Sequence, residues 1–189
     1  MDRDKIMQGV RLLLEGIGED PERPGLQRTP RRVADMYEDI FSGIAASDPA
    51  ELITAIPGDN HREMVLIRDI DFYSICEHHL LPFHGRAHVA YIPGENGDIA
   101  GLSKLARVVR RVAARPQLQE RITSEVADVI VRALRPSGAL VLIEAEHLCM
   151  SMRGVRTPGA KTMTSAVRGL FQSSEATRAE VLALINRPA

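Results

Sequence analysis

Apolar side chains at helical spacing predict two helices near the start of the chain. The first helix runs from Met1 to about Gly18, with an apolar stripe of Ile6, Val10, Leu13, Leu14 and Ile17. After a loop rich in proline and charge, Thr29 is the predicted N-cap of a second helix that ends at Gly43. We expect residues 1–45 to form an N-terminal helical layer and residues 46–189 to form the main domain.

The pattern changes to that of β-strands after residue 60. Residues 63–75 and 85–92 are rich in β-branched and aromatic side chains, and they predict a hairpin around Cys76 to His84. Five further elements are predicted: helices over 103–114 and 116–134, strands over 139–152 and 162–169, and a last helix over 174–185. This order predicts an α+β fold with a four-stranded antiparallel sheet and two helices on one face. Such a sheet leaves two open edges, which oligomerisation into a barrel would hide.

Composition narrows the classes of function. The 24 Lys and Arg residues balance the 25 Asp and Glu residues, so no basic field favours a nucleic acid or an anionic membrane as partner. The longest apolar stretches are too short for a membrane span, and the charged opening residues do not resemble a signal peptide. We therefore expect a cytoplasmic protein in which Cys76 and Cys149, its two cysteines, form no structural disulfide.

Cys76 and His79 stand three positions apart at a predicted strand end, which is a spacing found in zinc sites. On its own, this spacing is more often a polar surface loop than a metal site. Cys149 would complete a three-ligand set that leaves a fourth zinc position open for water, as in catalytic zinc sites. His78 and His147 adjoin these ligands, and each is a candidate for proton transfer or for the fourth ligand.

The segment around Cys149 predicts further site residues if it is a regular strand. Side chains alternate between the faces of a strand, so His147, Cys149, Ser151 and Arg153 would share one face. Arg153 would then lie roughly 13 Å from Cys149, at about 3.3 Å per residue. A small charged substrate could bridge these two residues.

A basic helix start is the candidate site for an anion. The predicted helix begins at Ser103, and Lys104, Arg107 and Arg111 follow on one side of it. A helix N-terminus with adjacent cations suits a phosphate group, although a solvated basic face is about equally consistent with this segment. Arg32 or Arg153 could join such a site.

The first turn of the next predicted helix contains Gln119 and Glu120. A carboxylate at this place is commonly explained by the helix dipole. Alternatively, Glu120 could accept hydrogen bonds from N1–H and the exocyclic amine of a guanine. The residues alone leave both explanations open.

Three motifs resemble those of the GTP cyclohydrolase I family. They are Cys76-Glu77-His78-His79, Gly101 to Leu105 together with Arg115 to Arg121, and His147 to Met150 together with Arg153 to Val155. The likeness runs from Thr29 to Phe171. It implies a tunnelling fold in which each subunit adds an antiparallel sheet to a pentameric barrel. It also implies a homodecamer of two stacked rings with active sites between subunits, and residues 46–189 as the catalytic domain.

The same resemblance implies a role for each candidate residue. It places zinc on Cys76, His79 and Cys149, proton transfer on His78 and His147, guanine recognition on Gln119 and Glu120, and triphosphate contacts on Ser103, Lys104, Arg107, Arg153 and Arg32. The implied reaction converts GTP and water into formate and 7,8-dihydroneopterin triphosphate, the first step toward folate or related pterins. Hydrolytic attack on C8 of the purine begins this reaction.

Two other classes of function remain alternatives. Another purine or pterin enzyme of the same fold would keep Glu120 as the base anchor but would change the metal or the nucleophile. A non-enzymatic protein stabilised by zinc would close its metal site with a fourth ligand, such as His78 or His147.

Overall fold

The computed structural model describes residues 1–187, which form an α+β fold. The helices are α1 (Arg3–Gly16), α2 (Thr29–Ile40), α3 (Leu102–Ala113), α4 (Gln119–Leu134), α5 (Leu148–Ser151), α6 (Leu170–Ser173) and α7 (Glu175–Ile185). The strands are β1 (Ala55–Ile56), β2 (Val65–Cys76), β3 (Pro82–Ile92), β4 (Ile99–Ala100), β5 (Pro116–Gln117), β6 (Gly138–His147) and β7 (Lys161–Gly169). A single 3₁₀ turn, Pro49–Leu52, precedes β1.

The main sheet has five strands in the order β5-β2-β3-β6-β7. The four long strands are antiparallel neighbours, as the sequence predicted. The fifth strand was not predicted, because Pro116 was assigned to the start of a helix. Instead, Pro116 and Gln117 pair in parallel with Ile75 and Cys76. This pairing brings the segment before α4 directly to the end of β2.

Side chains alternate between the two faces of the sheet, one of which is buried and the other partly buried. On one face, α3 and α4 cover a core that includes Phe72, Phe83, Val141 and Ile143. This is the predicted two-helix layer. On the other face, Phe171 and residues of α7 pack over one end of β3 and β6, so that face is partly covered as well. The rest of that face carries charged side chains.

The helices begin one to three residues away from the predicted positions. Arg28, not Thr29, is the N-cap of α2, and Pro30 lies in the first turn. Gly101 is the N-cap of α3, so Ser103 lies inside the helix and makes no capping hydrogen bond. Strand pairing of residues 116–117 delays α4 until Gln119.

The predicted long strand over 139–152 is wrong beyond His147. The last pair of β6 with β3 joins His147 to Phe83, and the next residue of β3 is Pro82. Proline has no N–H to donate to a strand partner, and the chain turns into the short helix α5. Cys149 therefore lies on a helical turn, and the predicted alternation over 145–153 does not occur.

The N-terminal helices lie against each other, with Arg3 of α1 forming ion pairs with Asp35 and Glu38 of α2. Gly43 follows α2, and its N–H donates to the carbonyl of Ala114 after α3, at 2.9 Å. The domain division at residue 45 remains a prediction. Among residues 1–187, no helix is both long and apolar enough to cross a membrane.

Candidate metal centre and active site

The ends of β2 and β6 bring the three predicted metal ligands together. The ligand atoms of Cys76, His79 and Cys149 all lie within 4.8 Å of one another. Cys76 is the last residue of β2, and Cys149 is on α5, directly after β6. The helical turn α5, rather than a continuing strand, therefore brings Cys149 close to Cys76 and His79.

A tight loop shapes the first half of this centre. The Cys76 N–H donates to Leu81 O, and the Leu80 N–H donates to Cys76 O. Leu80 adopts a left-handed conformation with φ of 53°, which closes the loop at a residue type that seldom adopts it. Glu77 adds a second anchor, because its backbone N–H donates to Gln117 O and its carboxylate pairs with Arg121 of α4. His78 and His79 are consequently held on a braced loop.

The donor set fits zinc. The two sulfurs of Cys76 and Cys149 are 4.0 Å apart. Two thiolates bound to one tetrahedral zinc at about 2.3 Å each would lie roughly 3.8 Å apart, so this separation needs little adjustment. Two sulfurs and one imidazole are ligands that zinc prefers, and three protein ligands leave one position for water or substrate.

The electrostatics of the thiols also favour a cation. Burial raises the pKa of Cys149, and the adjacent thiol of Cys76 raises it further. Without a cation the thiol of Cys149 resists ionisation. A divalent metal would compensate for both effects, because coordinated thiols deprotonate.

Arg153 lies against the metal centre rather than roughly 13 Å from Cys149 as the strand prediction required. Its Nη1 is 2.9 Å from Nε2 of His79. A guanidinium can only donate, so Nε2 of His79 is an unprotonated acceptor here. On the other side, Nδ1 of His78 is 3.9 Å from Sγ of Cys76. Both residues are thus in reach of a substrate at the centre.

His147 occupies a fixed position at the end of β6. Its ring is parallel to that of Phe83, with centroids 4.5 Å apart and planes within 4°. Its Nε2 is 2.7 Å from Oε1 of Gln119. Burial lowers the pKa of His147, and the charge of nearby Glu120 opposes that shift. A neutral imidazole in a partly buried position is suited to accept a proton.

Gln119 and Glu120 lie next to each other but in different surroundings. Glu120 is exposed in the first turn of α4 and remains available to a ligand. Gln119 is only 1% exposed, and its amide contacts Ile143, Thr162, Thr164 and His147. The NH₂ group of Gln119 and one lone pair of its Oε1 are engaged within the chain, and guanine recognition by this residue remains a prediction.

Unlike Arg153, the candidate phosphate ligands at the start of α3 lie away from the metal centre of the same chain. The start of α3 follows Ala100, whose N–H donates to the hydroxyl of Tyr91. Tyr91 is near the far end of β3, about 26 Å along the strand from Phe83 at 3.3 Å per residue. The other end of α3 reaches the centre, since Ser74 Oγ donates to Ala113 O. Ser103 and Lys104 are therefore at the opposite end of α3, and Arg107 is near its middle.

Arg32 is exposed on α2 and forms no hydrogen bond or ion pair with the metal centre within residues 1–187. Sequence reasoning missed the supporting residues Phe83, Thr123 and Thr164. Their roles depend on contacts between distant segments, and no local pattern marks them.

Comparisons with known proteins show the family of this chain. The GTP cyclohydrolase I family pattern matches residues 6–186. Relatives named GTP cyclohydrolase 1 include those of Carboxydothermus hydrogenoformans, at 60% identity over 98% of this chain and 95% of the relative, and of Pelotomaculum thermopropionicum, at 62% over 97% of each. The relative from Bacillus subtilis is 60% identical over 99% of this chain and 97% of its own length.

Among solved structures, the apo form of an archaeosine synthase QueF-Like matches at a TM-score of 0.46 and 17% identity, covering 56% of this chain and 93% of that one. The full-length sequence matches are far stronger. The chain is therefore an enzyme that belongs to the GTP cyclohydrolase I family.

Proposed function

We propose that this chain is a zinc-dependent GTP cyclohydrolase I that converts GTP and water into formate and 7,8-dihydroneopterin triphosphate. The observation that carries this proposal is the convergence of Cys76, His79 and Cys149, with His147 at the end of β6, two residues before Cys149. Held by these three residues, zinc supplies Lewis acidity that lets water act as a nucleophile near neutral pH. The product would begin a pathway to folate or related pterins.

The residues around the centre have complementary tasks in this proposal. Glu120 accepts N–H groups of the guanine and orients the purine at the metal. His147 accepts a proton beside the metal, and His78 relays protons at the purine ring. Arg153 donates to anionic oxygens of the substrate after leaving His79. We expect His78→Ala to retain zinc but to form no dihydroneopterin triphosphate.

Ser103, Lys104, Arg107 and Arg32 would contact the triphosphate from a neighbouring subunit. Two features support this arrangement. Lys104 is about 14 Å along the axis of α3 from Ala113, the end that reaches the metal centre. The outer edge of β7 and most of the outer edge of β2 have no strand partner within residues 1–187. Pairing of these edges between subunits would close a barrel, and a decamer of two stacked pentamers is our proposed assembly.

The function can be tested by incubating purified protein with GTP, with and without a metal chelator. Formate and the fluorescence of oxidised neopterin are measured together. We expect equal amounts of both products, loss of both with chelator, and recovery on addition of zinc. Formate without neopterin would indicate a hydrolase that stops midway. Zinc-loaded protein that forms neither product would contradict the proposal and favour a zinc-stabilised interaction protein.

A further inference from the structure

The side-chain amide of Gln119 is held in one orientation by groups that cannot donate. Its Nε2 lies 3.1 Å from the carbonyl oxygen of Ile143 and 2.9 Å from that of Thr162. A backbone carbonyl has no proton, so the amide group that faces it must be the NH₂. Reversing the amide would place its oxygen against two carbonyl oxygens in a site where Gln119 is 1% exposed. The orientation therefore follows from the chemistry of its partners.

Two threonines extend this hydrogen-bond network, and the donor and the acceptor of each of their bonds can be assigned. Thr123 Oγ1 lies 2.7 Å from the backbone oxygen of Gln119, so its single proton is donated there. Thr164 Oγ1 lies 2.6 Å from Thr123 Oγ1 and must donate to it. A lone pair of Thr164 then remains for Nε2 of Gln119, at 3.1 Å. Strand β7 and helix α4 together lock the amide.

The locked amide determines what His147 can do. Oε1 of Gln119 can only accept, and Nε2 of His147 is 2.7 Å from it. Nε2 must therefore carry a proton, which leaves Nδ1 unprotonated in the neutral ring. Nδ1 has no hydrogen-bond partner among residues 1–187, and no unpartnered polar side-chain atom there is buried. Nδ1 is thus open to a substrate or a water molecule, while stacking on Phe83 resists rotation of the ring.

We propose that Gln119 is a positioning residue that fixes His147 in the Nε2–H tautomer and makes Nδ1 its only proton acceptor. The catalytic consequence rests on the proposed function, whereas the tautomer itself does not. Gln119 then serves the reaction through His147, a role separate from the guanine recognition that the family resemblance implies for it. When Nδ1 accepts a proton, Oε1 continues to accept from Nε2–H and stabilises the imidazolium.

The tautomer can be measured directly by magic-angle-spinning ¹⁵N NMR of zinc-loaded protein containing ¹⁵N-labelled histidine, at mildly alkaline pH. Protonated and unprotonated ring nitrogens resonate at different frequencies. Comparison with the His147→Asn variant identifies the His147 signals. We expect the unsubstituted protein to contain one neutral tautomer of His147, protonated at Nε2.

Substitution then tests the role of Gln119. Gln119→Met removes the acceptor at similar side-chain length, and both tautomers of His147 should appear. We expect kcat to fall about tenfold or more, because a general base contributes about 10²–10⁴-fold, while KM for GTP changes little. In Gln119→Glu, a protonated carboxyl can donate its single proton to one of the two carbonyls, while its other oxygen still accepts from His147, so Nε2–H should persist.

Gln117→Met is the matched control. Gln117 is also a fully buried glutamine, but it contacts Val112, Glu125 and Arg121 rather than His147. Its substitution should leave the tautomer unchanged. A proton on Nδ1, or a mixture of tautomers, in the unsubstituted protein would overturn the proposal, even if Gln119→Met does not fold. An unchanged His147 spectrum in folded Gln119→Met would overturn it as well. Absence of GTP turnover with Nε2–H intact would instead contradict only the proposed function.

Discussion

At the residue scale, Glu120 is the group best placed to select the base. Its carboxylate is exposed beside His147 and can accept two N–H groups of guanine. Glu120→Gln would set an amide N–H against one of these donors. We expect KM for GTP to rise about tenfold or more, since a hydrogen bond to a charged group contributes about 1.5–3 kcal/mol. Steady-state kinetics measure this change. Ser124→Ala, at an exposed position on the same helix, should leave KM unaltered.

His88 gives a second prediction at this scale, for stability rather than catalysis. It is 8% exposed, and its Nδ1 accepts the N–H of Asp69 at 3.3 Å. Burial lowers its pKa below the ordinary value of 6.5, while Asp69 and Glu144 oppose the shift and Arg68 and Arg86 reinforce it. The unfolded chain therefore binds more protons than the folded one just below pH 6.5. The contribution of His88 to stability is complete above that pH and declines as the pH falls.

Urea unfolding at a series of pH values tests this expectation. His88→Asn keeps an acceptor near the position of Nδ1 and should weaken the loss of stability between about pH 6.5 and 5, where a histidine takes up its proton. His61→Asn replaces an exposed histidine and should preserve the original pH dependence. Identical curves for the two variants would exclude this role of His88.

The grouping of Cys76, His79 and Cys149 could be predicted from the sequence because the two cysteines and the histidine make a three-ligand set and lie in motifs that resemble those of a known family. The surroundings of Gln119 could not. Its partners Ile143, Thr162 and Thr164 belong to two later strands, and its neighbour Glu120 gives no sign of a different environment. The role of a buried amide depends on the hydrogen-bond partners that the fold places beside it, and those partners are not identified by the sequence around the amide.

At the scale of elements, close packing of β3 against β6 depends on Gly85. A Cβ at this position would lie 1.9 Å from Glu144 O and 2.6 Å from Ala145 Cα. Both contacts are with backbone, so Gly85→Ala must separate the strands two residues from Phe83 and His147. We expect a loss of about 3 kcal/mol or more in the free energy of unfolding, at the upper end of overpacking effects.

Gly9→Ala provides the matched substitution for the same unfolding measurement. Gly9 lies in α1, and no atom is within 4 Å of an added Cβ. Alanine should stabilise the helix by about 0.5–1 kcal/mol. Equal effects of the two substitutions would mean that strand packing at Gly85 is looser than the structure indicates.

The spacing of apolar residues predicted the long helices and strands. The incorrect predictions arose where the presence or absence of a strand partner overrides the local preference of the sequence. Residues 148–151 alternate in polarity like a strand, yet they lack a partner because β3 begins at Pro82. Pro116 suits the first turn of a helix, yet it pairs with the end of β2. In both cases the deciding neighbour is more than 30 residues away in sequence.

At the scale of the whole molecule, the distance between the metal centre and Lys104 predicts complementation between subunits. Cys149→Ser removes a proposed metal ligand, and Lys104→Met removes a proposed phosphate contact, so each variant alone should be inactive. If each site combines halves of two subunits, random mixed assemblies would contain about one intact site in four. Co-refolding equal amounts should recover about a quarter of the original GTP turnover. Mixtures without activity would place both halves of the site in one chain.

Within residues 1–187, the outer edge of β7 and most of the outer edge of β2 have no strand partner, and this has a consequence for the stability of the protein on dilution. If edge pairing completes the sheet, part of each subunit's stability is a binding energy and depends on protein concentration. We expect the melting temperature to fall as the total concentration is lowered, together with a loss of large species in light scattering. A melting temperature independent of concentration would contradict this coupling. In a cell that makes little of this enzyme, its free energy of unfolding would then be smaller.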